Sequence, residues 1–140
     1  MNKRVLKSYL KGSKRELLET CCFEFDNGYL ISDSYSVIKL NETNDLKVEK
    51  DIMGVCKIYD DFKWNFEDKE DIEFRDIEII DIDDKFGIQV KLLKKIKNII
   101  KGNKITILEN KDKMSYLKYI IKVENTETNE VGYMLPMRKF

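Results

Sequence analysis

The apolar positions of residues 89–101 recur at helical spacing and predict an amphipathic helix. At about 100° per residue, they gather within roughly a third of the helical circumference. No acidic residue lies between Lys91 and Lys104. We expect Gly102 to end the helix, because glycine readily adopts the left-handed conformation that closes helices. The apolar face comprises Leu92, Leu93, Ile96, Ile99 and Ile100, and the basic face comprises Lys91, Lys94, Lys95, Lys97 and Lys101.

Residues 2–11 repeat this pattern near the N-terminus. Asn2 can cap the predicted helix and Gly12 follows it. A single basic face is usually only a solvated surface, which is the simplest interpretation of either helix alone. Two such helices in one chain favour a common role for their basic residues. The apolar face comprises Val5, Leu6, Tyr9 and Leu10, and the basic face comprises Lys3, Arg4, Lys7 and Lys11.

Between and after the helices, the apolar period becomes that of strands. Residues 20–25 and 28–32 flank Asp26-Asn27-Gly28, and Asn-Gly between two β-rich runs strongly indicates a hairpin. The order helix-strand-strand-strand occurs twice, which predicts an α+β fold of two α-β-β-β units. Both basic helices should then pack on an antiparallel sheet, burying Leu6, Leu10, Leu93, Ile96 and Ile100. Further strands are predicted at residues 35–40, 46–52, 72–82, 104–109, 116–123 and 131–137.

Residues 56–74 combine aromatic and acidic residues without a clear period. We expect a long loop there, held against the protein by its aromatic side chains. Anchoring such a connection is a commoner role for these side chains than lining a binding site. The expected anchors are Tyr59, Phe62, Trp64 and Phe66.

Charge is balanced over the whole chain but separated along it. The 140 residues predict one domain, 1–140, with 26 basic and 26 acidic side chains. A net charge of zero favours neither nucleic acid nor membrane as a partner. Residues 3–15 and 91–104, however, each hold six basic and no acidic residues, whereas residues 60–84 hold twelve acidic and three basic ones.

The residue types exclude several kinds of chemistry. Histidine is absent, which removes His-based acid–base catalysis and most zinc sites, so we expect no enzyme, metal or cofactor. Cys21, Cys22 and Cys56 lack metal-ligand spacing and indicate reduced thiols. No apolar run approaches the roughly 20 residues of a membrane-spanning helix. We expect a cytoplasmic protein without membrane contact.

Three segments carry a resemblance to a known family, and a fourth supports it weakly. Residues 132–140 form an apolar strand that ends in Met-Pro-Met-Arg, and residues 87–111 place a glycine before a helix and a strand. Residues 32–40, Ser-Asp-Ser-Tyr-Ser-Val-Ile-Lys-Leu, open a strand after a hairpin. These segments resemble the bacterial DNA sliding clamp, the β-subunit type of polymerase processivity factor. Residues 57–66 are weakly similar to the clamp's connection between domains.

The resemblance implies a single clamp-like domain and a DNA-replication accessory protein of phage or mobile-element type. Clamps turn their helices toward duplex DNA, where basic side chains meet phosphates without reading the sequence. The resemblance also implies a strand from about Glu16 into Phe25, although Ser13–Glu16 spells a helix-capping box. The implied DNA-binding residues are Lys3, Arg4, Lys7, Lys11, Lys91, Lys94, Lys95 and Lys101.

Clamps also bind partner peptides in an apolar cleft, which implies a polymerase or another protein with a clamp-binding motif as a partner. Tyr35 and Ser36 stand where clamps have His-Arg. Because clamp chains hold several such domains, a ring would require a homo-oligomer with two matching edges on each chain. The C-terminal strand could instead simply close the sheet. The implied peptide groove comprises Tyr35, Val37, Tyr133, Leu135, Pro136, Met137 and Arg138.

A second interpretation has the same fold without DNA encirclement. In it, the protein is an interaction module that binds or mimics a host replication partner. The two uninterrupted basic helices favour the DNA-binding interpretation, whereas the zero net charge favours the interaction module. Fold resemblance alone does not choose between them.

Overall fold

The computed structural model describes residues 4–5, 21–33, 35–43, 46–51 and 54–139, which form an α+β fold. The two helices for which both ends are described are α1 (Val55–Asn65) and α2 (Val90–Ile100). The strands are β1 (Cys21–Phe25), β2 (Gly28–Ser32), β3 (Ser36–Leu40), β4 (Lys47–Glu49), β5 (Phe66–Ile72), β6 (Ile79–Asp81), β7 (Phe86–Gln89), β8 (Lys104–Asn110), β9 (Tyr119–Glu124), β10 (Val131–Met134) and β11 (Met137–Arg138).

Eight strands form one large sheet in the order β4-β1-β2-β3-β10-β9-β8-β5. The predicted hairpin joins β1 and β2, and Asp26 and Asn27 both have the positive φ that a type I′ turn requires. β3 and β10 pair antiparallel at the centre, with Val37 opposite Tyr133. The order and directions of β1-β2-β3 and β8-β9-β10 are those that a local twofold between β3 and β10 would generate. The two predicted three-strand runs therefore meet in one sheet.

Three features of the sheets differ from the prediction. Of the strand predicted at 72–82, only Ile72, at the end of β5, and Ile79–Asp81, which form β6, are in strands. β4 pairs parallel with β1, so the large sheet is mixed rather than antiparallel. The predicted strand 131–137 is interrupted at Leu135 and Pro136, and its end becomes β11 in a second sheet of order β11-β7-β6. Proline has no N–H to donate to a neighbouring strand, which explains the break at this point.

Residues 55–65 form helix α1, so the predicted loop over 56–74 is wrong. Val55, Tyr59 and Phe62 are buried and follow each other at helical spacing. The Asp51 carboxylate accepts hydrogen bonds from the backbone N–H groups of Val55 and Cys56, at 2.9 and 2.8 Å, and so caps the first turn. Of the four expected aromatic anchors, only Trp64 is exposed.

The predicted helix 89–101 is confirmed as α2, and Leu93, Ile96 and Ile100 are buried as expected. Its end differs from the prediction, because Lys101 rather than Gly102 adopts the left-handed conformation, with φ 51° and ψ 50°. Gly102 is required for another reason. A Cβ atom at that position would lie 2.7 Å from Val123 Cγ1 of β9.

The two helices pack on opposite faces of the large sheet. Successive residues of a strand point to opposite sides, so each strand contributes to both cores. Thus the side chains of Ile38 and Met134 lie on the α2 side of the sheet, whereas those of their neighbours Val37 and Tyr133 lie on the α1 side. The α2-side core is mainly aliphatic and includes Ile31, Ile38, Leu93, Ile96, Ile100, Ile121 and Met134. The α1-side core is rich in aromatic residues and comprises Phe23, Leu30, Val37, Val55, Tyr59, Phe62, Phe66, Leu108, Ile120 and Tyr133.

Most of the predicted N-terminal helix, with Leu6 and Leu10, lies outside the described residues, as does the strand or turn at 13–20. Arg4 and Val5 are described, and both are helical. Val5 packs against the α2-side core, and Arg4 is exposed. This short stretch therefore lies on the same side of the sheet as α2.

Candidate nucleic-acid interface

The lysine face of α2 points away from the sheet. Burial of Leu93, Ile96 and Ile100 fixes the rotation of the helix, which leaves the lysines on the outer surface. Lys91, Lys94 and Lys101 are exposed, whereas Lys95 and Lys97 are half-buried. The helix contains no acidic residue. We refer to Lys91, Lys94, Lys95, Lys97 and Lys101 as the lysine face.

Few carboxylates neutralise this face. Lys94 Nζ lies 3.9 Å from Asp76 Oδ2, and both side chains are largely exposed. Within the described residues, Lys91, Lys95 and Lys101 have no carboxylate oxygen within 4.0 Å. Lys97 Nζ lies 5.4 Å from the centre of the Phe74 ring, a cation–π contact rather than an ion pair. The face therefore presents a row of ammonium groups that anions can approach.

The structure describes five of the eight predicted DNA-binding residues. It brings Lys91, Lys94, Lys95 and Lys101 together on or next to α2. Arg4 is exposed in the short stretch that packs on the same side of the sheet. The other three, Lys3, Lys7 and Lys11, lie outside the described residues.

The predicted peptide groove is only partly assembled. Tyr35 and Leu135 lie side by side, because the Leu135 N–H donates a hydrogen bond of 2.9 Å to the Tyr35 carbonyl. Both line a surface groove of about 420 Å³. Val37 and Tyr133, in contrast, are only 1% and 5% exposed and pack beneath α1, so they belong to the core rather than to a groove.

The last predicted groove residues lie elsewhere, because the chain leaves the large sheet at Pro136. Met137 pairs with Gly87 of β7 and lines a cavity of about 380 Å³ beside α2. Arg138 is exposed on the same short strand. The apolar run at the C-terminus therefore divides between two sheets.

Sequence reasoning missed the other wall of the groove, which α1 and the loop 111–118 provide. Ile58, Phe62, Tyr116 and Leu117 line it together with Tyr35 and Leu135. The loop is held in place by the Lys111 N–H, which donates to the Asn65 carbonyl at 2.9 Å, and by the Asn110 side chain, which donates to the Leu117 carbonyl at 3.0 Å. Tyr116 is 96% exposed. The sequence interpretation placed Tyr116 and Leu117 in the strand predicted at 116–123, whereas β9 begins only at Tyr119.

Two ionisable side chains of α1, Cys56 and Tyr59, have raised pKa values. Burial, with a further contribution from Asp51, raises the pKa of the Cys56 thiol to about 11. Burial likewise raises the pKa of Tyr59 to about 12. A thiol with such a pKa has little thiolate at neutral pH and is a poor nucleophile. Within the described part of the chain, no group of three or more Cys, Asp or Glu residues is placed to hold a metal ion.

Neither α1 nor α2 is long and apolar enough to cross a membrane. No model of a known protein family matches the chain, and neither does any of the curated proteins or solved structures with which it was compared.

Proposed function

We propose that the protein is a clamp-like DNA-replication accessory protein, of phage or mobile-element type, that binds the backbone of duplex DNA through the lysine face. The observation that carries the proposal is the row of lysines on α2, which no acidic residue of the helix interrupts. The packing of Val5 on the same side supports it, since the second basic segment begins there.

The chemistry of the lysine face suits phosphate contacts without base readout. From residue 91 to residue 101, the helix rises about 15 Å, at about 1.5 Å per residue. This length spans roughly four nucleotides along one strand of duplex DNA. Lysine ammonium groups on flexible stems tolerate small shifts of the phosphates, and this suits a protein that does not select a sequence.

The distribution of charge also favours one side of the protein as the DNA-binding surface. The chain has no net charge, so attraction must come from one surface rather than from the whole molecule. On the opposite side, α1 carries Lys57 and Lys63 together with Asp60 and Asp61. DNA is therefore expected to approach the α2 side.

The salt dependence of duplex binding tests the proposal. We expect weak binding that is equal for duplexes of unrelated sequence. If about five basic residues meet phosphates, the logarithm of the association constant should fall against the logarithm of the salt concentration with a slope of about −4 to −5. Fluorescence anisotropy of labelled duplexes provides both measurements. Undetectable binding at low salt, or strong preference for one sequence, would count against the proposal.

A second candidate function is that of an interaction module that binds a polymerase-type partner or another protein with a clamp-binding motif. It is favoured by the groove in which Tyr35 and Leu135 meet, since both residues come from segments that resemble the clamp's peptide cleft. Tyr35, Ile58 and Tyr116 expose 55%, 42% and 96% of their surface there. Exposed aromatic residues beside a groove are typical of protein interfaces.

Titration with a short apolar peptide that carries a clamp-binding motif, followed by amide NMR, tests this second function. We expect shifts confined to residues 32–36, 58–62, 116–117 and 135. Tyr35→Ser should weaken them, whereas Trp64→Ser, on an exposed position of α1 outside the groove, should not. Unmoved signals at millimolar peptide would leave the groove without this role.

A further inference from the structure

The loop formed by residues 73–78 lies along one side of α2. It connects β5 with β6 and contains Glu73, Asp76 and Glu78, with Arg75 as its one basic residue. We refer to residues 73–78 as the acidic loop. Its position matters because it places carboxylates beside the surface that is proposed to bind phosphates.

Three contacts hold the acidic loop against successive turns of α2. The backbone N–H of Val90 donates to the Glu78 carbonyl at 3.1 Å, at the first residue of the helix. Lys94 Nζ lies 3.9 Å from the Asp76 carboxylate. Lys97 Nζ lies over the Phe74 ring, 5.4 Å from its centre. The loop thus runs beside the helix over two turns and contacts two members of the lysine face.

The ion pair among these contacts is weak enough to be displaced. The side chains of Lys94 and Asp76 are 53% and 77% exposed, and ion pairs of this kind are weak and screened by salt. A cavity of about 380 Å³ lies between the loop and the helix, lined by Ile77, Lys91 and Lys94 among others. At Ile77, between the contacts made by Asp76 and Glu78, the loop therefore leaves open space beside α2.

We propose that the acidic loop competes with the phosphate backbone for the lysine face and so limits its affinity for DNA. A phosphate that approaches Lys94 competes with the Asp76 carboxylate, which lies 3.9 Å from Lys94 Nζ, and the exposed Glu78 adds repulsion. This inference rests on the proposed function and adds a regulatory element to the same site. A partner with basic side chains that neutralised the loop would strengthen DNA binding.

The double variant Asp76→Asn/Glu78→Gln tests the competition. Its matched control is Asp60→Asn/Glu70→Gln, which removes the same two negative charges from α1 and β5. We expect the loop variant to bind duplex DNA about fivefold more tightly than the wild type at low salt, with the gain shrinking as salt rises. The control should gain less than half as much. In hydrogen exchange, the amides of residues 73–78 should lose protection when duplex DNA binds.

The outcomes separate the two proposals. An unchanged affinity of the loop variant, or equal gains in both variants, would overturn the competition while leaving DNA binding by the lysine face in place. Binding by the loop variant but not by the wild type would support the competition most strongly. If neither the wild type nor either variant binds DNA, the proposed function and the competition are both overturned.

Discussion

Helices α1 and α2 are both eleven residues long and pack on opposite faces of one sheet, yet their outer surfaces differ. α2 carries four lysines and no acidic residue, whereas α1 carries two lysines and two aspartates. Packing on the sheet requires only an apolar inner face. The uniform charge of α2 is therefore not required by the fold, and we connect it with function.

The inner faces differ as well. On the α1 side, the ring of Tyr133 contacts the rings of Tyr59 and Phe62 edge-on, with centroids 5.3 and 5.9 Å apart. On the α2 side, aliphatic side chains lie close to the sheet, and Ile96 packs directly over Gly132. The α1-side core thus contains two tyrosines, Tyr59 and Tyr133, whose pKa values are raised by burial, and the α2-side core includes a close contact between Ile96 and a glycine. These differences can be tested separately.

The largest effect on stability is expected from Ile96→Ala, at the centre of the α2-side core. Ile96 is fully buried, so its truncation removes apolar contacts and leaves a cavity. We expect the free energy of unfolding to fall by about 3–4 kcal/mol, measured by urea denaturation. Ile58→Ala, at a position of α1 that is 42% exposed, is the control and should cost far less. A loss below about 1 kcal/mol for Ile96→Ala would contradict the packing described.

Alkaline pH should weaken the α1-side core selectively. The pKa of Tyr59 is raised to about 12 in the folded protein, mainly by burial, whereas an unfolded tyrosine titrates near 10. As the pH rises, Tyr59 therefore loses its proton in the unfolded state before it does so in the folded state. The free energy of unfolding should fall as the pH rises from about 10 to about 12. Linkage gives a loss of up to about 3 kcal/mol from this residue. Burial shifts the pKa of Tyr133 in the same direction.

Comparison of the wild type with Tyr59→Phe isolates this contribution, because other groups, lysines among them, also titrate at high pH. The free energy of unfolding of the variant should depend less steeply on pH between about 10 and 12. Identical slopes for the two proteins would show that Tyr59 is not held neutral by the core.

Gly132→Ala should cost about 2 kcal/mol, because the added Cβ would lie 2.6 Å from Ile96 Cγ2. That atom belongs to a branched, fully buried side chain and cannot easily move. In an Ile96→Ala background the conflicting atom is absent, so the same glycine substitution should cost much less. Chemical denaturation of the four proteins in this cycle measures the coupling. Additive losses would show that Gly132 is not required for the approach of α2.

The smallest effect is expected from Trp64→Ala on the outer surface of α1. Trp64 is 62% exposed, and Lys63 Nζ lies 5.0 Å from the centre of one of its rings. The free energy of unfolding should change by less than about 1 kcal/mol, which thermal unfolding can establish. A larger loss would place Trp64 among the anchors of α1 and weaken the contrast between its inner and outer faces.

Local signals in the sequence predicted α2 and the first hairpin. The spacing of Leu93, Ile96 and Ile100 defined α2, and Asn27-Gly28 located the hairpin, because both signals depend only on residues near each other in the chain. Helix α1 was missed, because its acidic residues and exposed Trp64 obscured the spacing of Val55, Tyr59 and Phe62.

Features that depend on contacts between distant parts of the chain were harder to predict from the sequence. Alternation along a strand separates its two faces but does not show which face will be covered, so the burial of Val37 and Tyr133 beneath α1 could not be predicted. The groove has the same difficulty, because it combines Tyr35, Ile58, Leu117 and Leu135 from four separate segments. The lysine face needed only one helix and was predicted residue by residue.

Charge reversal on each helix tests most directly the claim that the uniform charge of α2 serves DNA binding. Lys94→Glu/Lys95→Glu on α2 and Lys57→Glu/Lys63→Glu on α1 change the net charge equally, and circular dichroism can verify that both variants remain folded. We predict that the α2 variant loses duplex binding by about 100-fold or more, while the α1 variant stays within about threefold of the wild type. Equal losses from both helices, or retained binding by a folded α2 variant, would contradict the account.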